Sequence, residues 1–208
     1  MLRTSNHQSL LQPAWMVVGS GLEASFTTDG PTESAARCLA GTLGLSHHPI
    51  TDPQSPHQQM GELQAAAGGW LASLPLDPGQ SLSEGGTWAE ALGAWRQPTL
   101  LIIGSQQLSS GAAASTTALL RQWRVPLLGL LQWGGPWGPE MRRRDGLPWL
   151  GCLEDPAVDG ADSAEQLVDL LRRRWACLDL PRAEAEATEV WRPLDPAAAA
   201  QGTPGSQA

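Results

Sequence analysis

Residues 98–133, PTLLIIGSQQLSSGAAASTTALLRQWRVPLLGLLQW, set two wholly apolar runs on either side of a helix-patterned segment. The first run, TLLII (99–103), has the length of one strand, and its unbroken apolarity is what a strand covered on both faces requires. From 112 to 123 the apolar residues Leu119, Leu120 and Trp123 fall on one helical side, and VPLLGLL then returns as a second buried strand. Strand, helix, strand of this kind is a βαβ unit, whose crossover makes the two strands parallel. The chain is therefore expected to be α/β, with a mainly parallel sheet flanked by helices.

Around this unit the patterning predicts further elements. GPTESAARCLAGTLG (30–44) reads as a short helix with Thr32 as its N-cap and Gly44 at its end. Residues 45–63, with three prolines and little periodicity, read as a loop. TWAEALGAWRQP carries a capping box, Thr87 with Glu90, before an apolar face of Trp88, Ala91, Leu92 and Trp95. LPWLGCL (147–153) is a last short strand. The helix at 163–178 presents Leu167, Leu170, Leu171, Trp175 and Leu178 as one stripe. Core packing is the expected role of Trp88, Trp95, Trp123 and Trp175. The organisation is one domain over 1–180 and a flexible tail over 181–208, rich in Ala, Pro and Gly.

Charge narrows the partners. The 208 residues carry 13 basic and 21 acidic side chains, a net charge of -8, which argues against nucleic acid and anionic lipid. Every basic residue is arginine, and the chain contains no lysine. No stretch approaches the ~20 apolar residues of a membrane span, and the first fifteen residues lack the core of a signal peptide, so a cytoplasmic location is expected. The widely spaced Cys38, Cys152 and Cys177 read as small buried residues in a reducing compartment.

The turn GSQQLSSGAAAS (104–115) follows a parallel strand, the place where backbone N–H groups and a helix N-terminus bind anions. A nucleotide loop G-x-x-x-x-G-K-[ST] needs lysine for the phosphates, yet here Gly104 and Gly111 are wrongly spaced and Ala112 follows. His7, His47, His48 and His57, with Asp52 among them, lack metal-ligand spacing and read as solvated. Asp29 and Glu33 read either as a carboxylate pair for magnesium or as a turn acid and a helix-start acid. The triplet Arg142–144 reads as a carboxylate or phosphate grip or as a solvated loop, and Arg172–174 as a solvated helix face.

WMVVGSGLE, TTDGPTESAARCLAG, Ser55-Pro56-His57, AAAGGW, PTLLIIG and LPWLGCLED follow one another along the chain. Together they resemble dethiobiotin synthetase, the ATP-dependent ligase that closes the ureido ring in biotin synthesis: the first two are similar to the family's K-P-x-x-S-G strand, T-D and helix. Ser55-Pro56-His57 resembles its S-P-H segment, AAAGGW its E-G-A-G-G-W/L turn, PTLLIIG its P-V-I-L-V-V-G strand, and LPWLGCLED its P-x-L-G-x-[IL]-P ending. The likeness covers roughly residues 14–155 and implies a P-loop NTPase-like fold truncated at the N-terminus. It further implies Ser20, Gly21, Gly68 and Gly69 as substrate-binding residues and Asp29 as a metal ligand, with ATP and Mg2+ as cofactors where activity is kept. A homodimer and a small carboxylate ligand stay open as partners.

The sequence departs from the family where its chemistry lies. Met16 stands for a substrate-side lysine, Ala65 for the acid before G-A-G-G, and Trp133 for the adenine-reading asparagine. No residue is assigned a catalytic role. The expected function is a degenerate dethiobiotin synthetase-like protein without autonomous catalysis; the alternatives are a divergent active synthetase or a binding and assembly protein on the same scaffold.

Overall fold

The computed structural model describes residues 13–20, 30–153 and 162–178, with the side chains of 162–166 excepted. The expected tail from 181 onward lies outside the described residues. Among the described residues six strands form a single sheet: β1 (Ala14–Gly19), β2 (Ser46–Pro49), β3 (Trp70–Leu74), β4 (Thr99–Gly104), β5 (Leu127–Trp133) and β6 (Trp149–Leu153). Their order is β2-β3-β1-β4-β5-β6, and every pairing is parallel. The α-helices among the described residues are α1 (Pro31–Leu43), α2 (Pro56–Ala65), α3 (Trp88–Ala94), α4 (Ala112–Gln122), α5 (Pro139–Arg144) and α6 (Asp162–Cys177).

Period-two alternation along the strands divides the core into two layers. Met16, Val18, Ala72, Leu74, Leu101, Ile103 and Leu130 face α2, α3 and α4, which contribute Met60, Leu63, Trp88, Leu92 and Leu120. Trp15, Val17, Leu71, Leu100 and Ile102 face the other way, against Ala35, Ala36 and Leu39 of α1 and Leu167 and Leu171 of α6. Leu128 breaks the alternation because the β4–β5 register steps from Thr99↔Leu127 to Leu100↔Gly129, leaving one extra residue on β5. The α/β class and the parallel 99–103 and 125–131 strands expected from the sequence are present, the latter beginning at Leu127.

Four expectations are corrected. The stretch 45–63 is not a loop: it holds β2 and most of α2. Edge strand β2 pairs with β3 alone, so it needs no apolar run, and α2 buries only Met60 and Leu63. Helix α1 is capped by Gly30, with Pro31 in its first turn, and Thr32 lies inside it. Trp95 and Trp123 are 39% and 38% exposed and so are not core residues; Trp175 is half-buried against Trp15, their rings 5.9 Å apart. Cys38 and Cys152 are half-buried and Cys177 is exposed, so none belongs to the core.

Candidate functional site at the carboxyl edge of the sheet

Helix α1 leaves β1 on one face of the sheet, whereas the helices that follow its neighbours β3 and β4 pack on the opposite face. Connections diverging from adjacent parallel strands open a crevice at their carboxyl ends, where ligands of open α/β sheets bind. At that point β1 ends in Gly19, with Ser20 next in the chain, and β4 ends in Gly104. Gly19 has a steric reason to be glycine: a Cβ there would lie 2.4 Å from Thr32 Oγ1 in the first turn of α1.

The crevice between β1 and β4 is spanned by Gln107, from the 3-10 turn Ser105–Gln107. Its Oε1 accepts from Ser20 Oγ at 3.1 Å and from the Gly104 amide at 3.3 Å, and its Nε2 donates to the Ser20 carbonyl. Ser20 itself is 2% exposed. A carboxamide therefore ties together the ends of the two central strands, with both of its polar atoms engaged by protein.

A second polar group sits on the α1 face. The Ser73 hydroxyl, in β3, donates to Glu33 Oε2 of α1, so Ser73 Oγ is left to accept from His47 Nε2 of β2 at 3.0 Å. This fixes the proton of neutral His47 on Nε2. Arg37 Nη2 donates to Glu33 Oε1 at 3.2 Å, and His47 Nε2 lies 3.6 Å from the same oxygen. Burial lowers the His47 pKa below 6.5, with Arg37 and His48 acting the same way and Glu33 opposing them. In a nucleophilic triad the imidazole stands between hydroxyl and carboxylate. Here the hydroxyl stands in the middle and is covered, which makes the group a polar clamp joining β2, β3 and α1.

The sequence-derived site residues do not gather in one place. Ser20 is at the carboxyl edge, and Gly21 and Asp29 lie outside the described residues. Gly68, at φ 92°, and Gly69 precede β3 and so occupy the opposite, amino edge; the Gly69 carbonyl accepts from the Ser46 amide there. Met16 is fully buried among the apolar residues facing α2 and α3, Ala65 is exposed at the end of α2, and Trp133 is half-buried at the end of β5. Glu33 joins Ser73 and His47, and His47 is largely covered instead of solvated. Among the described residues no group of three His, Cys, Asp or Glu side chains could hold a metal ion. None of their helices is long and apolar enough to cross a membrane.

Of the two arginine triplets, Arg142 is held in place. Its Nη2 donates to Gln132 Oε1 at 3.3 Å, and its guanidinium lies 4.9 Å from the centre of the Trp149 ring. Gln132 Nε2 in turn donates to the carbonyls of Gly134, Gly135 and Pro136, fixing the turn after β5. A surface depression of about 380 Å³ beside α5 is lined by Gly138, Pro139, Glu140, Met141 and Arg144. Arg172, Arg173 and Arg174 are exposed on α6.

No protein-family model matches the chain, and no curated protein matches it. Among solved structures it is similar to a de novo designed protein with a P-loop NTPase fold, studied by solution NMR. The TM-score is 0.38 and the identity 16%, over 77% of this chain and 91% of the design.

The sequence reading passed over Gln107 and Ser73. A serine inside the apolar strand WLASL is a usable signal, because a polar group in a strand covered on both faces must find a buried partner. Nothing local announces Gln107, whose partner Ser20 lies 87 positions away.

Proposed function

We propose that the chain is a dethiobiotin synthetase-like protein, related to biotin synthesis, that has lost autonomous ATP-dependent ring closure and acts by binding or assembly. One observation carries this reading. The internal positions where the resembling family has its substrate-side lysine, its acid before G-A-G-G and its adenine-reading asparagine hold Met16, Ala65 and Trp133, and the sequence contains no lysine. Lysines in such a site stabilise the charge that develops on transferring phosphates, and arginine's planar fork does not reproduce a compact ammonium. The Gln107 amide and its bonds to Ser20 and Gly104 support the same reading, since they engage polar groups at the crevice that a phosphate would otherwise use. In this proposal Ser20, Gly21 and Asp29 are the ligand-side residues of the β1–α1 connection, while Gly68 and Gly69 serve the turn into β3.

The test is growth of a biotin-requiring strain that lacks its own synthetase, combined with calorimetry of the purified chain and Mg-ATP. Absence of rescue, with no heat of binding at millimolar nucleotide, is the expected result. Rescue by this chain but not by its Ser20→Ala or Asp29→Ala variants would overturn the proposal in favour of a divergent active enzyme.

A further inference from the structure

The amino edge of the sheet carries a feature that the crevice does not explain. The sequence repeats W-R-x-P at Trp95-Arg96-Gln97-Pro98 and at Trp123-Arg124-Val125-Pro126, each copy joining a helix to the strand after it. The two copies have the same backbone. Arg96 and Arg124 adopt left-handed φ values of 50° and 56°. The amides of Gln97 and Val125 reach back to Leu92 O and Leu120 O, and those of Arg96 and Arg124 to Gly93 O and Arg121 O. This is the helix-ending pattern that places a left-handed residue just past the last turn, a position that favours glycine.

The fold does not demand arginine there. Helix α1 ends by the same pattern, with Leu45 N bonded to Ala40 O and Gly44 N to Gly41 O, and its left-handed residue is Gly44 at φ 68°. Two positions that glycine would fill without strain hold arginine instead, an outlier from which a hypothesis of function can start. Each of these arginines follows an exposed tryptophan.

The turns form one surface. A Cβ on Gly93 would fall 1.9 Å from the Trp123 carbonyl oxygen, so the ends of α3 and α4 touch, and Arg96 Nη1 donates to Arg124 O at 3.2 Å. Arg121 is exposed in the last turn of α4. Among the described residues no carboxylate forms an ion pair with Arg96, Arg121 or Arg124. Two partly exposed indoles, with Trp95 Nε1 donating to His57 Nδ1 at 3.0 Å, and three arginines thus belong to the adjoining ends of α3 and α4 on a protein whose net charge is -8.

We propose that these paired W-R-x-P turns are a docking surface for an acidic, apolar-containing segment of a partner protein. Tryptophan and arginine dominate the energetic centres of protein interfaces, because each offers a large area together with directional polar contacts. Complementary charge selects an acidic partner. Three cations on a chain of strongly negative net charge do not suit a nucleic-acid strand, which needs a broad basic track. The surface precedes β4 and β5, at the end of the sheet opposite Ser20, so docking leaves the crevice accessible.

The test uses the full chain and a labelled peptide of alternating glutamate and leucine, read by fluorescence anisotropy. Its glutamine counterpart and an oligothymidine of similar length are the comparison probes. The acidic peptide is expected to bind roughly tenfold or more tightly than the glutamine peptide, and to weaken as salt is raised. Arg96→Gly/Arg124→Gly should weaken it by roughly tenfold with the melting temperature held, because glycine suits both turns. Trp95→Ala/Trp123→Ala should do the same, and Arg143→Gln/Arg173→Gln should leave binding unchanged. The proposal is overturned by equal binding of the two peptides, by arginine-to-glycine variants that fold and bind as well as the parent, or by tighter binding of the oligonucleotide. Self-association of the parent that the tryptophan variants abolish would also overturn it, since a second copy would then be the occupant.

Discussion

Burial disfavours the charged form of His47 by more than the nearby Glu33 favours it, and the resulting pH dependence has a definite direction. Its folded-state pKa lies below the unfolded value of 6.5. Well above pH ~6.5 the imidazole is neutral in both states and contributes no pH dependence. As pH falls through that value the unfolded chain takes up the proton first, so stability declines until the lower folded pKa is passed. The urea midpoint should therefore drop from pH 7 to 5, and His47→Gln should flatten that part of the curve. An unchanged slope in the variant would show that some other group controls it. This residue was hard to read from sequence: the polar run LSHHP resembles a solvated loop, and its partners come from 26 positions away in Ser73 and from the first turn of α1 in Glu33. Ser20 is legible only through the family resemblance, and its bond to Gln107, 87 positions away, leaves no local trace.

At the scale of elements, legibility followed unbroken apolarity instead of burial alone: β3 is buried along its length, but Ser73 interrupts its run and no strand is expected there from the sequence. Strands β4 and β5 are covered on both faces and so were written as continuous apolar runs, with α4 between them at clear helical spacing. β2 has one strand neighbour and exposed ends, and α2 buries two side chains, so neither leaves a periodic trace. The contact of α3 with α4 depends on a position that no pattern marks. Gly93 sits against the Trp123 backbone, where the neighbouring group is a carbonyl that cannot rotate aside. Gly93→Ala must push the helix ends apart and is expected to cost about 1–3 kcal/mol, despite alanine's better helix propensity. Gly41, which has nothing within 4 Å of its added Cβ, is the control: Gly41→Ala on α1 should be neutral or stabilising by up to about 1 kcal/mol. Chemical denaturation of the two variants checks both, and equal effects would mean that α3 and α4 are not in this contact.

For the whole molecule, the decisive fact is that two apolar layers share one sheet. The α1 and α6 layer and the α2, α3 and α4 layer have no helix in common, yet successive β1 residues Trp15, Met16, Val17 and Val18 supply them alternately, and all four are fully buried. Neither layer can lose its packing while the other keeps a flat, fully paired sheet beneath it, because the same strands form both floors. Leu171 of α6 and Leu120 of α4, both fully buried, sample the two layers from opposite sides. Leu171→Ala and Leu120→Ala should each cost about 2–5 kcal/mol. Each should move one common transition, with tryptophan fluorescence and far-UV circular dichroism remaining superimposed in urea. The two residues lie on opposite faces of the sheet and have no partner in common, so the double variant should lose nearly the sum of the single losses. A fluorescence transition that separates from the dichroism in either variant would mean that the layers unfold independently, and the sheet would then not be the common wall that its strand order and burial pattern describe.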